Sequence, residues 1–202
     1  MNDVGFIGLG SMGRGMMANL VSNQVPVVAF DTDASARNLA SGRGVRLAEN
    51  VATVGRDCKR IILSLPDGDV VEDVLYGAGD MAASLMAGAI LVDTSTTHAR
   101  KSREFAERLR EQDVSFLDAP VTGMETRAAD ATLTIMVGGD PSAFESVRPL
   151  LEHMGSIVVH MGLPGSGQLT KMVNNVLYNV SVAAMAEMLP LAARLGLDPK
   201  SV

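Results

Sequence analysis

One cysteine, Cys58, is the only thiol in 202 residues. A single thiol closes no internal disulfide, so a secreted disulfide scaffold is excluded and a reducing, cytoplasmic setting is expected. Basic residues are outnumbered, 17 Lys and Arg against 23 Asp and Glu, for a net charge of −6 and a pI near 5.0. Nucleic-acid surfaces need a clustered basic face, which this balance argues against. The three histidines, His98, His153 and His160, are scattered without metal-ligand spacing, so no metal is expected. Cys58 sits between Asp57 and Lys59 with no partner for nucleophilic work. Internal repeats and low-complexity linkers are lacking, and the first residues lack the basic region and cleavage site of a secretory signal. The thirteen methionines, mostly at helical or apolar positions, read as core filler.

What the chain has is a succession of short apolar runs: VGFIGL from Val4 to Leu9, VPVVAFD ending on Asp31, Ile61 to Leu65, Ile90 to Asp93, Ser115 to Asp118, then TLTIMVGG and SIVVHMG. Between them lie segments of helical spacing. In HARKSREFAERLREQ, Phe105 and Leu109 stand four apart among charges, and PSAFESVRPLLEHM opens on Pro141. Continuously apolar strands that alternate with helices predict an α/β fold, a parallel doubly wound sheet of the Rossmann type covered on both faces.

After Gly167 the pattern changes to one helix of about 28 residues, on the order of 40 Å long. That is too long to cover one sheet edge, so the helix is expected to leave the first domain. Its late stretch, VLYNVSVAAMAEMLPLAARL, raises the question of a membrane span. Asn179, Glu187, Pro190 and Arg194 interrupt it, and charge at that depth in lipid is costly, so a helix buried in protein is expected.

Gly8, Gly10 and Gly13 form G-x-G-x-x-G, with Leu9, Ser11 and Met12 between them, directly after a strand and before a helix. The first glycine allows a tight turn, the second close approach of a pyrophosphate, and the third close packing of helix on strand. The helix N-terminus then offers free N–H groups to phosphate. Asp31, at the end of the second strand, is placed to accept the adenosine ribose hydroxyls. A carboxylate there repels a 2′-phosphate, so NAD is expected over NADP. Arg14 and Arg37 are near in sequence, and the first reads as a helix-surface residue.

Taken in order, GFIGLGSMGRGMMANL, DTST at 93–96, DAPVTG at 118–123 and GSGQLTKMVNN at 165–175 resemble the β-hydroxyacid dehydrogenase family, typified by 3-hydroxyisobutyrate dehydrogenase and tartronate semialdehyde reductase. The resemblance covers essentially the whole chain. It implies an NAD-binding domain over residues 1–163, then from 164 to 202 a long interdomain helix leading to an all-α domain that this chain does not include, and a homo-oligomer, dimer or tetramer. It also implies that Leu65 and Pro66 lie against the adenosine side and Thr96 near the nicotinamide. Thr122, Gly123 and Met124 would hold the substrate carboxylate, Lys171 would be the catalytic lysine, and Asn175, with Asn174 beside it, would orient the substrate.

Lys171, Asn174 and Asn175 stand at i, i+3 and i+4, on one face of a helix. A lysine moves a substrate hydroxyl proton when burial and a cationic ring bring its pKa toward neutrality. Three residues depart from the family's glycines: Met124, Arg127 and Ala131. Met124 is expected to crowd the pocket. Arg127 reads either as a solvated surface residue or as a partner for a second anionic group. His98, after the DTSTT turn, reads as a helix-start residue rather than a cofactor contact. Two functions stay open: an NAD-dependent oxidoreductase on a small 3-hydroxy acid or its semialdehyde, and a dinucleotide-binding module without turnover. An imine-reducing relative is disfavoured by the lysine.

Overall fold

The computed structural model describes residues 3–201. Its first six strands are β1 Val4–Ile7, β2 Val27–Phe30, β3 Arg46–Leu47, β4 Arg60–Leu63, β5 Ile90–Asp93 and β6 Ser115–Asp118. They lie side by side in the order β3-β2-β1-β4-β5-β6, all parallel. This is the Rossmann-type doubly wound arrangement, with its reversal between β1 and β4. The helices α1 Ser11–Ser22, α2 Ala34–Ser41, α3 Val51–Asp57, α4 Gly68–Tyr76 and α5 Ala99–Arg110 link successive strands.

The parallel sheet expected from the sequence forms over these six strands and does not continue unbroken beyond them. After β6 come β7 Val121–Thr122, α6 Met124–Ala129, β8 Leu133–Gly138, α7 Pro141–Leu151 and β9 Gly155–Gly162. β8 runs antiparallel to both β6 and β7, and β9 runs parallel to β8. The connection from β7 to β8 is shorter than the dozen or so residues a parallel crossover needs, so the chain turns back instead.

Alternation along each strand divides the core in two. Phe6, Ile62, Val92 and Leu117 point to one side, where Met16, Met17 and Leu20 of α1 and Phe144 and Val147 of α7 cover them. Ile7, Ile61, Leu63, Leu91 and Phe116 point to the other, under Val54, Val71, Leu75, Phe105 and Leu109. Phe105 and Leu109, four apart in sequence, are both buried as their spacing requires. Pro141 opens α7, with the Asp140 carboxylate accepting from the Ala143 N–H at 2.9 Å.

The last element, α8 Ser166–Arg194, is 29 residues long and starts against β8, β9, β6 and α5. Beyond its first turns it leaves the sheet. An apolar 18-residue window of mean hydropathy 1.5 is only 6% buried. By length and composition alone it suffices to cross a membrane. Among the described residues the helix thus leaves the first domain, as its length implied, and the sheet gives it nothing to lie on past its start. The methionines divide the same way. Met16, Met17, Met81 and Met154 are core, whereas Met172, Met185 and Met188 on α8 are more than half exposed.

Candidate active site

A cleft of about 990 Å³ opens at the carboxyl ends of β1, β2, β4 and β5, bounded by the residues that follow each strand. Such strand ends, beside a topological switch point, are where open α/β sheets take ligands. Gly8, at φ +96°, ends β1 two residues earlier than the apolar run suggested. A side chain there would strike the Ser64 carbonyl, and one on Gly13 would strike the carbonyl of Gly8. Gly10 is different: a Cβ on it would meet no protein atom and would occupy the cleft itself. Gly10 is also the N-cap of α1, with no side-chain cap and no acid in the first turn. The first N–H groups of α1 and the positive end of its dipole are thus left for an anion. The cradle fits a dinucleotide pyrophosphate.

Asp31 has two structural duties. Its Oδ2 accepts from the Leu9 N–H at 2.6 Å and its Oδ1 from the Asp33 N–H at 2.8 Å, so the acid fixes the glycine loop while lining the cleft. Leu9 is the one expected cofactor-binding residue outside the cleft wall. Its side chain is buried in the core and its amide is taken by Asp31. Arg37 donates from Nη1 to the carbonyls of Asp31 and Thr32, at 2.6 and 3.0 Å, and Arg14 is exposed on α1.

The wall across from the glycine loop is laced by short hydroxyl side chains. Ser95 Oγ accepts from the Leu65 N–H at 2.9 Å, and Thr94 Oγ1 donates to the Leu63 carbonyl at 2.6 Å. Buried Asp93 accepts from the Ser95 N–H at 3.0 Å and from Thr97 Oγ1 at 3.2 Å. Burial pushes the Asp93 carboxyl up to about 6, against the pull of those hydrogen bonds. Leu65, Pro66 and Thr96 all line the cleft, and Thr96 is the exposed member of its turn. His98 is exposed and caps α5, its Nδ1 accepting from the Arg100 N–H at 3.2 Å.

Lys171 joins this cleft from α8. The helix is anchored by Asp118, whose Oδ1 accepts from the Gly165 N–H at 2.7 Å and whose Oδ2 accepts from the Gln168 N–H at 2.9 Å. Gly165 holds φ +87°, and a side chain on Gly167 would strike the carbonyls of Met136 and Asp118. With its helix start pinned there, Lys171 is half-buried. Burial lowers its pKa, and among the described residues the amine has no ion pair or hydrogen bond. Asn174 and Asn175, one turn on, are exposed and do not form the cleft wall.

Thr122, Gly123 and Met124 line the cleft beneath Lys171's helix. Met124 is 81% exposed, so it stands at the mouth rather than crowding the interior as expected. It holds φ +60° and Ala131 holds φ +56°, conformations natural to glycine. Arg127 lies within α6 and needs no such freedom. Its aliphatic stem packs on Gly123, and the residue is exposed and absent from the cleft wall.

Sequence reasoning did not single out Asn50, Ser64, Asp73 or Ser95, which also line the cleft, nor Gln168, which ties α8 to the Ser95–Thr97 turn. Asn50 carries a readable signal, since it caps α3 by accepting from the Thr53 N–H at 2.9 Å. The others have none. Cys58 is buried, its thiol raised to about 11 by burial, and it has no part in the cleft.

Residues 3–162 match the family model described as the NAD binding domain of 6-phosphogluconate dehydrogenase. Residues 165–202 match the one described as NAD-binding of NADP-dependent 3-hydroxyisobutyrate dehydrogenase. Among relatives, 2-(hydroxymethyl)glutarate dehydrogenase of Eubacterium barkeri is 36% identical over 98% of this chain and 66% of its own length. The mitochondrial 3-hydroxyisobutyrate dehydrogenase of Mus musculus is 38% identical over 98% of this chain and 59% of its own. The Mycobacterium tuberculosis 3-hydroxyisobutyrate dehydrogenase structure with L-serine superimposes with a TM-score of 0.93 at 36% identity, over 98% of this chain and 67% of that one. The chain thus spans about 59 to 66% of the length of these two curated relatives. It carries an NAD(P)-binding fold of the Rossmann type, and it belongs to the β-hydroxyacid dehydrogenase family.

Proposed function

We propose that this protein is an NAD-dependent oxidoreductase that interconverts a small 3-hydroxy acid, of the 3-hydroxyisobutyrate type, and its semialdehyde, with Lys171 as general acid and base. One observation carries the reading. An amine without a counter-ion among the described residues, its pKa lowered by burial, shares a cleft with a glycine loop at a helix start and a carboxylate at a strand end. The bound nicotinamide supplies the hydride chemistry. The first-turn N–H groups of α1 hold the pyrophosphate, and the lone pairs of Asp31 left over from Leu9 and Asp33 take the ribose hydroxyls. The same carboxylate disfavours a 2′-phosphate, hence NAD over NADP. Backbone N–H groups of Thr122 to Met124 and the Thr122 hydroxyl hold the substrate carboxylate. Lys171 takes the hydroxyl proton on oxidation and returns it to the carbonyl oxygen on reduction. Asn175 holds the reacting hydroxyl beside Lys171, and Asn174 binds the substrate next to it.

In this reading residues 1–163 bind the cofactor, and 164–202 hold an interdomain helix and the start of a further helical domain. The exposed apolar face of that helix supports packing against further protein, in a homo-oligomer. A binding module without turnover is favoured only by the exposed position of Asn174 and Asn175.

The test is Lys171→Ala in the intact protein, with a panel of 3-hydroxy acids and NAD and NADP in parallel. Turnover should fall on the order of 10³-fold while NADH affinity changes less than about threefold. Activity within a few-fold of the parent sinks the role of Lys171. NADH binding with no oxidation across the panel supports the binding module instead.

A further inference from the structure

Gln168 is buried, 3% exposed, and its side-chain amide meets the turn after β5 at two points. Its Oε1 accepts from the Thr97 N–H at 3.1 Å, and its Nε2 donates to the Ser95 carbonyl at 2.8 Å. The residue bracketed by those two groups is Thr96, which faces the cleft. Behind the amide, the backbone N–H of Gln168 is held by Asp118 at 2.9 Å. The helix start cannot rotate without leaving a buried carboxylate short of donors. Three residues along the same helical face stands Lys171.

We infer that Gln168 is a positioning residue, whose amide sets the distance between Lys171 on α8 and the Thr96 turn so that the two cleft walls move as one unit. The consequence for turnover rests on the dehydrogenase reading; the mechanical coupling does not. No shorter or simpler side chain serves. Methionine fills the volume but leaves the Thr97 N–H and the Ser95 carbonyl unpaired in the interior. An ionised glutamate accepts from Thr97, cannot donate to Ser95, and adds a third carboxylate beside Asp93 and Asp118.

The experiment compares Gln168→Met and Gln168→Glu with the intact parent. Two readouts need no cofactor or substrate: hydrogen exchange at the Thr97 amide, and the Lys171 titration followed by NMR after reductive methylation with a ¹³C label. In Gln168→Met, Thr97 exchange should accelerate at least about tenfold and the Lys171 titration should move toward that of an ordinary lysine. With NAD and a hydroxy acid, kcat should fall roughly 10- to 100-fold while the KM for NAD stays within about threefold. Gln168→Glu keeps the acceptor for the Thr97 N–H, so its exchange should fall between parent and Gln168→Met, while its added charge should move the Lys171 titration toward an ordinary lysine at least as far; if the methionine variant does not fold, the glutamate variant decides alone. Unchanged exchange and titration overturn the inference, as does parental kcat in a variant whose exchange and titration have moved. A parent that turns over nothing sinks the dehydrogenase reading, while the first two readouts still decide the coupling.

Discussion

Asp93 and Asp118 stand opposite each other in register on β5 and β6, and neither is exposed to solvent. Each spends its carboxylate on backbone at a wall of the cleft, Asp93 on the Ser95 turn and Asp118 on the start of α8. Burial raises both pKa values, and the Asp118 carboxylate adds to the cost of ionising Asp93.

The raised Asp93 pKa sets a pH dependence of stability. Its ordinary value is 3.8 and its folded value about 6, so the folded protein holds the proton more tightly than the unfolded chain between those limits. Its stabilising contribution is fully present below about pH 4 and is lost as pH rises through about 6. Asp93→Asn should remove that slope. The stability of the variant relative to the parent, from urea unfolding, should improve between about pH 4 and pH 7.5 by up to about 3 kcal/mol, the equivalent of the shift. A difference that stays flat across this range refutes the assignment.

The two outer glycines of the loop and the middle one should fail differently. Gly13→Ala drives a methyl into the Gly8 carbonyl and should cost about 1–3 kcal/mol of stability or more. A Cβ on Gly10 meets no protein atom, so Gly10→Val should change stability by less than about 1 kcal/mol, yet weaken NADH by well over tenfold, since the new side chain fills the cradle. Thermal unfolding and NADH fluorescence titration separate the two. Tight NADH binding by Gly10→Val would remove the glycine cradle from the site.

What the sequence disclosed and what it hid follow from where each partner lies. The glycine loop, Asp31 and Lys171 were legible because each announces itself within one turn of chain: a glycine spacing, an acid at a strand end, a charge on an apolar helix. Gln168 was not, because one glutamine in a helix has no signature and both its partners lie more than 70 residues away. β8 was read as one more parallel strand, since an apolar run looks the same in either direction and only the short return from β7 reverses it. The departure of α8 from the sheet was legible in its length, whereas what covers its apolar face was not, because composition reports what a helix could bury and not what is there to cover it.

Cofactor preference should follow Asp31, though not cleanly. Asp31→Ser removes the charge that opposes a 2′-phosphate, and it also releases the Leu9 amide that shapes the loop. Catalytic efficiency with NAD should therefore drop by about 10- to 100-fold, while the NADP-to-NAD ratio rises by at least about tenfold. Arg37 stays braced on the carbonyls of Asp31 and Thr32, with the rest of its guanidinium available to the new phosphate. Parallel kinetics with the two cofactors decide it; an unchanged ratio would mean that Asp31 serves the loop and not the ribose.

The three positions where the sequence resemblance expects glycine should respond in opposite directions. Met124 and Ala131 hold φ near +60°, which costs an L-residue about 1–2 kcal/mol, partly offset by the greater unfolded-state freedom of glycine. Met124→Gly and Ala131→Gly should each stabilise by about 0.5–1 kcal/mol, and Met124, 81% exposed, gives up little burial in the exchange. Arg127 is helical, and its stem covers Gly123. Arg127→Gly should therefore destabilise by about 1 kcal/mol, the helix-interior cost of glycine, plus the lost packing. Urea unfolding of the three variants measures the signs directly. If Met124→Gly and Arg127→Gly shift stability the same way, backbone conformation is not what distinguishes these positions, and the replaced glycines served the substrate rather than the fold.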